Sequence, residues 1–242
     1  MPFVVANGVR THFREVGEGP PLLLIAGNGM EHTTFDEQLP SFSRHFRCIV
    51  YDLRGIGRSD VAEAGYDTRT LAADALALLD GIGVREAHVA GYSLGGAIGQ
   101  EIAAAAPERV LSLSLYSSFD RPDPYLRLRY DLLVRIALES SPEVWALFSA
   151  FSAFGADYID AHEAAVREHD STARLGRIAC PTWIAVGSAD PVMPPSYSQR
   201  LQAAIAGSRL EIFPDRPHRI LNFQAESFTE RALAFLLEQR RP

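Results

Sequence analysis

A serine, an aspartate and a histidine, in that order along 242 residues, carry the strongest chemical signal in the chain. Ser93 lies in Gly91-Tyr92-Ser93-Leu94-Gly95, a G-x-S-x-G pentapeptide. Three fixed residue types, each used at about 7%, arise by chance in about one chain of this length in ten. The motif therefore draws its weight from context. It follows the apolar run Ala87–Gly91, which reads as a strand, and precedes the alanine-rich run Ala97–Ala106, which reads as a helix stopped by Pro107. A tight strand-to-helix turn strains the serine backbone and lifts its hydroxyl above the sheet. Side chains flanking such a turn would collide, and Gly91, Gly95 and Gly96 carry none. The start of the helix also aims backbone N–H groups at developing negative charge.

A serine hydroxyl is a poor nucleophile unless a base removes its proton. Of the seven histidines (His12, His32, His45, His88, His162, His169 and His218), only His218 follows the last strand-like run, Arg209–Phe213. An imidazole acting as base needs a carboxylate to set its tautomer and stabilise its charged form. Asp190, directly after the run Thr182–Gly187, is the candidate, with Asp120 after Val110–Tyr116 as the rival. Two backbone donors must hold an oxyanion. The N–H of Leu94 is one. The other is assigned to Asn28 in Gly27-Asn28-Gly29-Met30, with Gly29 as the alternative.

The elements that must hold these residues can be read from hydrophobic periodicity. Asn7-Gly8 splits the alternating stretch Phe3–Val16 into a hairpin. Pro21–Ala26 and Phe46–Tyr51 are short apolar runs, as expected of strands buried on both faces. Thr68–Leu79 has helical spacing with Gly81 and Gly83 beyond it, and Phe223–Gln239 closes the chain as an amphipathic helix. Alternating strands and helices predict an α/β fold with a mostly parallel central sheet flanked by helices. Residues 119–172 break the rhythm. They read as an inserted helical lid on a core formed by residues 1–118 and 173–242. The lid is rich in aromatics: Tyr125, Tyr130, Trp145, Phe148, Phe151, Phe154 and Tyr158.

Composition narrows the classes. A net charge of −7 without basic clusters argues against nucleic acid and anionic membranes as partners. All 23 basic residues are arginine, which excludes Schiff-base lysine chemistry and a phosphate-binding loop of the lysine type. Two cysteines, Cys48 and Cys180, are too few for a disulfide framework and read as small buried hydrophobes. No secretory leader is visible and no apolar run reaches roughly 18 residues, so a cytoplasmic protein is expected. The histidines show no metal-ligand spacing, and neither metal nor cofactor is expected.

With these residues in place, the chain resembles the α/β-hydrolase fold superfamily, in particular its serine esterase, lactonase and peroxidase-like group. Asp52-Leu53-Arg54-Gly55-Ile56-Gly57-Arg58-Ser59 resembles that family's D-x-R-G-x-G-x-S loop, and Ile178–Pro191 resembles its acid region. The likeness runs from about residue 10 to 240, the lid excepted. It implies a sheet of about eight strands, a helical cap and acyl transfer without cofactor. Two departures stand out: Ala26-Gly27 where many relatives have His-Gly, and Pro217 where relatives have Gly before the histidine. The expected activity is hydrolysis of an ester or lactone of a small apolar or aromatic molecule through an acyl-enzyme. Acyltransferase, lyase and C–C hydrolase chemistry are alternatives, as is a non-catalytic small-molecule receptor. The serine argues against the aspartate-nucleophile dehalogenases and epoxide hydrolases of this fold. Met30, Tyr92, Trp145 and Phe148 are the expected pocket residues. Arg127 and Arg129 read as solvent-exposed, with contact to a substrate carboxylate as the alternative.

Overall fold

In the structure, a computed structural model describing residues 2–139, 141, 144 and 165–240, Asn7 and Gly8 turn the first hairpin. Their φ values of 48° and 81° are what a two-residue turn between twisted strands requires. The flanking strands, β1 (Phe3–Ala6) and β2 (Val9–Val16), pair antiparallel, and β2 then pairs antiparallel with β4 (Arg47–Tyr51). From there β3 (Pro21–Ile25), β5 (Ala87–Tyr92), β6 (Val110–Tyr116), β7 (Thr182–Gly187) and β8 (Arg209–Phe213) are all parallel. The eight strands form one sheet in the order β1-β2-β4-β3-β5-β6-β7-β8. This is the expected mostly parallel α/β sheet.

Strand pleating divides the apolar runs between two cores. Leu23 and Ile25 of β3 and Ile49 and Tyr51 of β4 face one core. Leu22, Leu24, Cys48 and Val50 face the other. Helices α2 (Thr68–Gly81), α3 (Leu94–Ala105) and α5 (Pro195–Ala204) cover the first face through Leu71, Leu78, Ile98, Ile102, Tyr197 and Leu201. Helices α1 (Leu39–Phe42) and α6 (Ala225–Glu238) cover the second through Leu39, Phe42, Phe228 and Phe235. Covering both faces is what lets these strands be apolar throughout. Helix α2 starts at Asp67, whose side chain accepts from the N–H groups of Arg69 and Thr70.

Two local differences from the expectation have simple causes. Helix α3 begins at Leu94 rather than Ala97, because the glycines after the serine belong to its first turn. Helix α5 carried no apolar stripe strong enough to be anticipated, although Pro194-Pro195 is a helix-start signal. A further helix, α4 (Pro124–Glu139), follows β6. The backbone N–H of Ser171 donates to Asp120 O at 3.0 Å, and the Ser171 hydroxyl donates to Gln100 Oε1 on α3 at 2.7 Å. Asp120 and Ser171, near the two ends of the expected lid segment, thus lie side by side. Cys48 is buried and free, and burial pushes its thiol pKa up to about 12. Cys180, expected to be buried too, is half-buried and also free. Among the described residues, no helix is long and apolar enough to cross a membrane.

The loops after β3, β5, β7 and β8 all leave the carboxyl ends of parallel strands. After β3 the chain crosses to β4 on one side, and β5 lies on the other. Such a reversal opens a crevice above the sheet.

Candidate active site

Ser93 occupies the turn between β5 and α3 with φ 54° and ψ −115°, a conformation that residues with side chains rarely adopt. The surroundings hold it there. Its N–H donates to Tyr116 O at 2.8 Å, and the Ser118 hydroxyl donates to Ser93 O at 2.9 Å, both from the end of β6. The packing leaves no room for side chains beside it. A Cβ at Gly91 would collide with the carbonyl of Gly95, and one at Gly95 with the carbonyl of Ile25 on β3. At Gly96 it would sit 2.5 Å from the Ser118 side chain.

His218 reaches this serine from the loop after β8. Its Nε2 lies 3.2 Å from Ser93 Oγ, and its Nδ1 lies 2.8 Å from Asp190 Oδ2. The other carboxylate oxygen, Oδ1, accepts from the N–H groups of Val192 and Met193, each at 2.8 Å. With Oδ1 so engaged, the buried Asp190 accepts a hydrogen bond from Nδ1–H through Oδ2, which leaves Nε2 as an acceptor for the serine hydroxyl. The two loops are also joined through their backbones. Ala189 N donates to Arg216 O at 3.0 Å, and Asp215 N donates to Ser188 Oγ at 2.8 Å. A Cβ on Gly187 would strike Arg216 O. The rival acid, Asp120, is elsewhere. It takes the Nε and a terminal nitrogen of Arg200 at 3.0 and 2.5 Å.

Tyr92, an expected pocket residue, touches His218 as well. Its hydroxyl donates to His218 O at 3.2 Å, and the two rings are 5.2 Å apart. Burial holds the Tyr92 phenol well above its ordinary pKa, so it stays a neutral donor.

The two expected oxyanion donors sit at different kinds of backbone. Leu94 begins α3, where N–H groups have no intrahelical acceptor. Asn28 lies in a turn closed by Met30 N donating to Gly27 O at 3.2 Å, with Gly29 at φ 73°. That positive φ favours the glycine at 29. The far end of this loop is anchored on the buried Asp52. Its Oδ1 accepts from the N–H and Nδ1 of His32, both at 2.8 Å, and its Oδ2 from His12 Nδ1 at 2.9 Å and Arg58 N at 3.1 Å. This network is the physical counterpart of the missing His-Gly pair: a histidine four residues beyond Asn28 and another from β2 hold the loop instead. His12, His32 and Asp52 are also the only group of potential metal ligands among the described residues. Their distances are those of hydrogen bonds, and a metal would have to displace them. Burial lowers the His12 pKa, in keeping with a neutral ring whose Nε2 has no partner.

A cavity of about 240 Å³ opens above Ser93 and His218, with Asn28, Met30 and Tyr92 in its wall. Of the expected pocket residues, Met30 and Tyr92 line this cavity. Trp145 and Phe148 lie outside the described residues. The sequence reading missed Tyr130, Leu133, Val192 and Arg219, which also line the cavity, and favoured solvent for Arg129, which lines it too. The helical spacing of Leu126, Arg129, Tyr130 and Leu133 was the available signal for the α4 contribution.

A family model described as alpha/beta hydrolase fold matches residues 20–136. A relative from Caulobacter sp. (strain K31), provisionally named carbamate hydrolase RutD, is 30% identical, covering 93% of this chain and 95% of its own. A solved hydrolase from Pseudomonas aeruginosa PA01 is 30% identical, covers 97% of both chains and superposes with a TM-score of 0.86. The enol-lactonase from Burkholderia xenovorans LB400 is 25% identical, covering 98% of this chain and 100% of its own, with a TM-score of 0.83.

Proposed function

Because the chain belongs to the alpha/beta hydrolase fold family, we propose that it is a serine-dependent hydrolase that cleaves an ester or lactone of a small molecule through an acyl-enzyme. The observation that supports this most is the relay from Ser93 Oγ to His218 Nε2 at 3.2 Å and from His218 Nδ1 to Asp190 at 2.8 Å. In this reading Ser93 attacks the carbonyl carbon while His218 takes its proton, and Asp190 stabilises the imidazolium. The N–H groups of Leu94 and Asn28 stabilise the oxyanion. His218 then protonates the leaving alkoxide, and the same residue activates the water that frees Ser93. Residues 119–172 act as a lid over the cavity, with Tyr130 and Leu133 of α4 forming its described wall.

A carbamate is the second reading, favoured by the name of the Caulobacter relative over nearly its whole length. Met30, Tyr130, Leu133 and Val192 give one part of the cavity an apolar wall, which favours a substrate with a hydrocarbon portion whether the bond cleaved is an ester or a carbamate. The test is turnover of p-nitrophenyl esters and simple lactones beside carbamates, in wild type and Ser93→Ala. Ester turnover lost in Ser93→Ala, with a phosphonate probe adding its mass at Ser93, is the expected result. Ester turnover that survives Ser93→Ala overturns the mechanism.

A further inference from the structure

Helix α4 has an inverted pattern. Tyr125, Leu128 and Leu132 are 54%, 68% and 56% exposed, whereas Arg129, one turn from both Leu126 and Leu133, borders the cavity with Tyr130 and Leu133. Leu126 and Tyr130 belong to the core, and Leu133 packs against it, so the inner face is identified by its contacts. Arg129 is half-buried and Arg219 exposed, so a guanidinium on this inward stripe is only partly dehydrated, and an anion in the cavity is favoured beside it rather than demanded. Arg219, next to His218, lines the same cavity. Its Nε donates to Asn222 Oδ1 at 3.3 Å, and Asn222, not the arginine, is the group that bonds Glu37.

The chain carries 30 acidic residues and a net charge of −7, yet among the described residues no Asp or Glu lines this cavity. Among the described residues, neither arginine forms an ion pair. Asp190, the carboxylate nearest the chemistry, is committed to His218 and two backbone amides. Two planar guanidinium forks at a small cavity, with an apolar belt beside the serine, match a carboxylate at one end of a short hydrocarbon chain. We infer that the substrate is a carboxylate-bearing ester or lactone, its carboxylate held by Arg129 and Arg219 while its acyl carbonyl lies at Ser93. The inference rests on the serine hydrolase reading for the bond that is cleaved, but the anion preference can be measured without any cleavage.

The experiment compares two esters of one length, mono-p-nitrophenyl glutarate and its neutral methyl ester. Wild type is expected to favour the anionic ester by about tenfold or more in kcat/KM, the discrimination that about 1.4 kcal/mol supplies. In Arg129→Gln/Arg219→Gln the ratio should fall toward one, and in Arg129→Lys/Arg219→Lys it should be partly kept. In parallel, monomethyl and dimethyl glutarate are titrated by NMR into Ser93→Ala and into Ser93→Ala carrying both Gln substitutions. Tighter binding of the monoester that disappears with the arginines supports the inference with no turnover needed. If the double Gln variant does not melt cooperatively, the salt dependence of the wild-type ratio replaces it. That ratio should shrink between about 0.01 and about 1 M ionic strength. Equal handling of the two esters, or a preference indifferent to both arginines and salt, overturns the inference and leaves Ser93 hydrolysis standing. Failure to cleave any ester, with the monoester still preferred in the titration, would sink the hydrolase reading and leave the anion site.

Discussion

Replacing Asp190 with Asn should cost far more than one charge, because the structure dictates how the new amide must sit. Oδ1 of Asp190 accepts from two backbone N–H groups, Val192 and Met193, both at 2.8 Å. The amide of the Asp190→Asn variant can satisfy those donors only with its carbonyl oxygen, since its NH2 group cannot accept. The NH2 is then turned toward His218 Nδ1, which in the wild type lies 2.8 Å from Oδ2. A donor there forces Nδ1 to be the acceptor and moves the ring proton to Nε2, 3.2 Å from Ser93 Oγ. The imidazole can then no longer take the serine proton. Loss of the correct tautomer in a serine triad costs on the order of 10⁴ in kcat, about 5.5 kcal/mol of barrier. Stability should change little by comparison, because the shape and both backbone hydrogen bonds are kept. The assay is steady-state ester hydrolysis at neutral pH, with thermal melting as the control for folding. A well-folded Asp190→Asn protein within tenfold of wild-type kcat would refute the tautomer argument and the assignment of His218 as base.

Three further outcomes follow from the geometry. Gly95→Ala would drive a methyl group into the carbonyls of Ile25 and Ala26, so we expect a loss of about 1–3 kcal/mol in urea unfolding together with a displaced Ser93 and falling kcat; an unchanged melt and rate would contradict the elbow packing. Asp52→Ala leaves the His32 and Arg58 amides and two imidazoles without their buried acceptor, which should cost about 3 kcal/mol or more and loosen the Asn28 loop, seen as faster amide exchange at residues 28–32. His169 is buried and its pKa is lowered from 6.5 to about 4, first by desolvation and then by Arg174, whose bidentate bond to Glu101 also takes up the nearest carboxylate. Its contribution is therefore fully present above pH 6.5 and is lost as pH falls toward 4, a decline of up to about 3 kcal/mol that His169→Gln should largely remove from the urea profile. Parallel profiles for the two proteins would refute it.

Much of the scaffold could be read directly because parallel strands must be covered on both faces. Pro21–Ile25, Ala87–Tyr92 and Thr182–Gly187 are apolar at nearly every position, and their lengths between Gly, Asp and Pro leave little freedom in assignment. Helix α5 escaped because its buried residues, Tyr197, Ser198 and Leu201, do not make an apolar stripe. The choice between Asp190 and Asp120 was open in the sequence for a different reason. Each follows a strand, and only the packing of β7 beside β8 brings one of them to His218 while Arg200 claims the other.

By itself, the sequence determined which residue types could act and the order in which they emerge from the sheet. Hydrophobic period, glycine placement and chain order are local properties that survive without coordinates. The tertiary structure alone decided what those residues touch: Tyr92 on the His218 carbonyl, two histidines on Asp52 beneath the Asn28 loop, and Arg129 on the cavity that Arg219 also lines. These contacts join positions 20 to 126 residues apart, and no local rule encodes them. They depend on how side chains from separate strands and helices fill one shared volume.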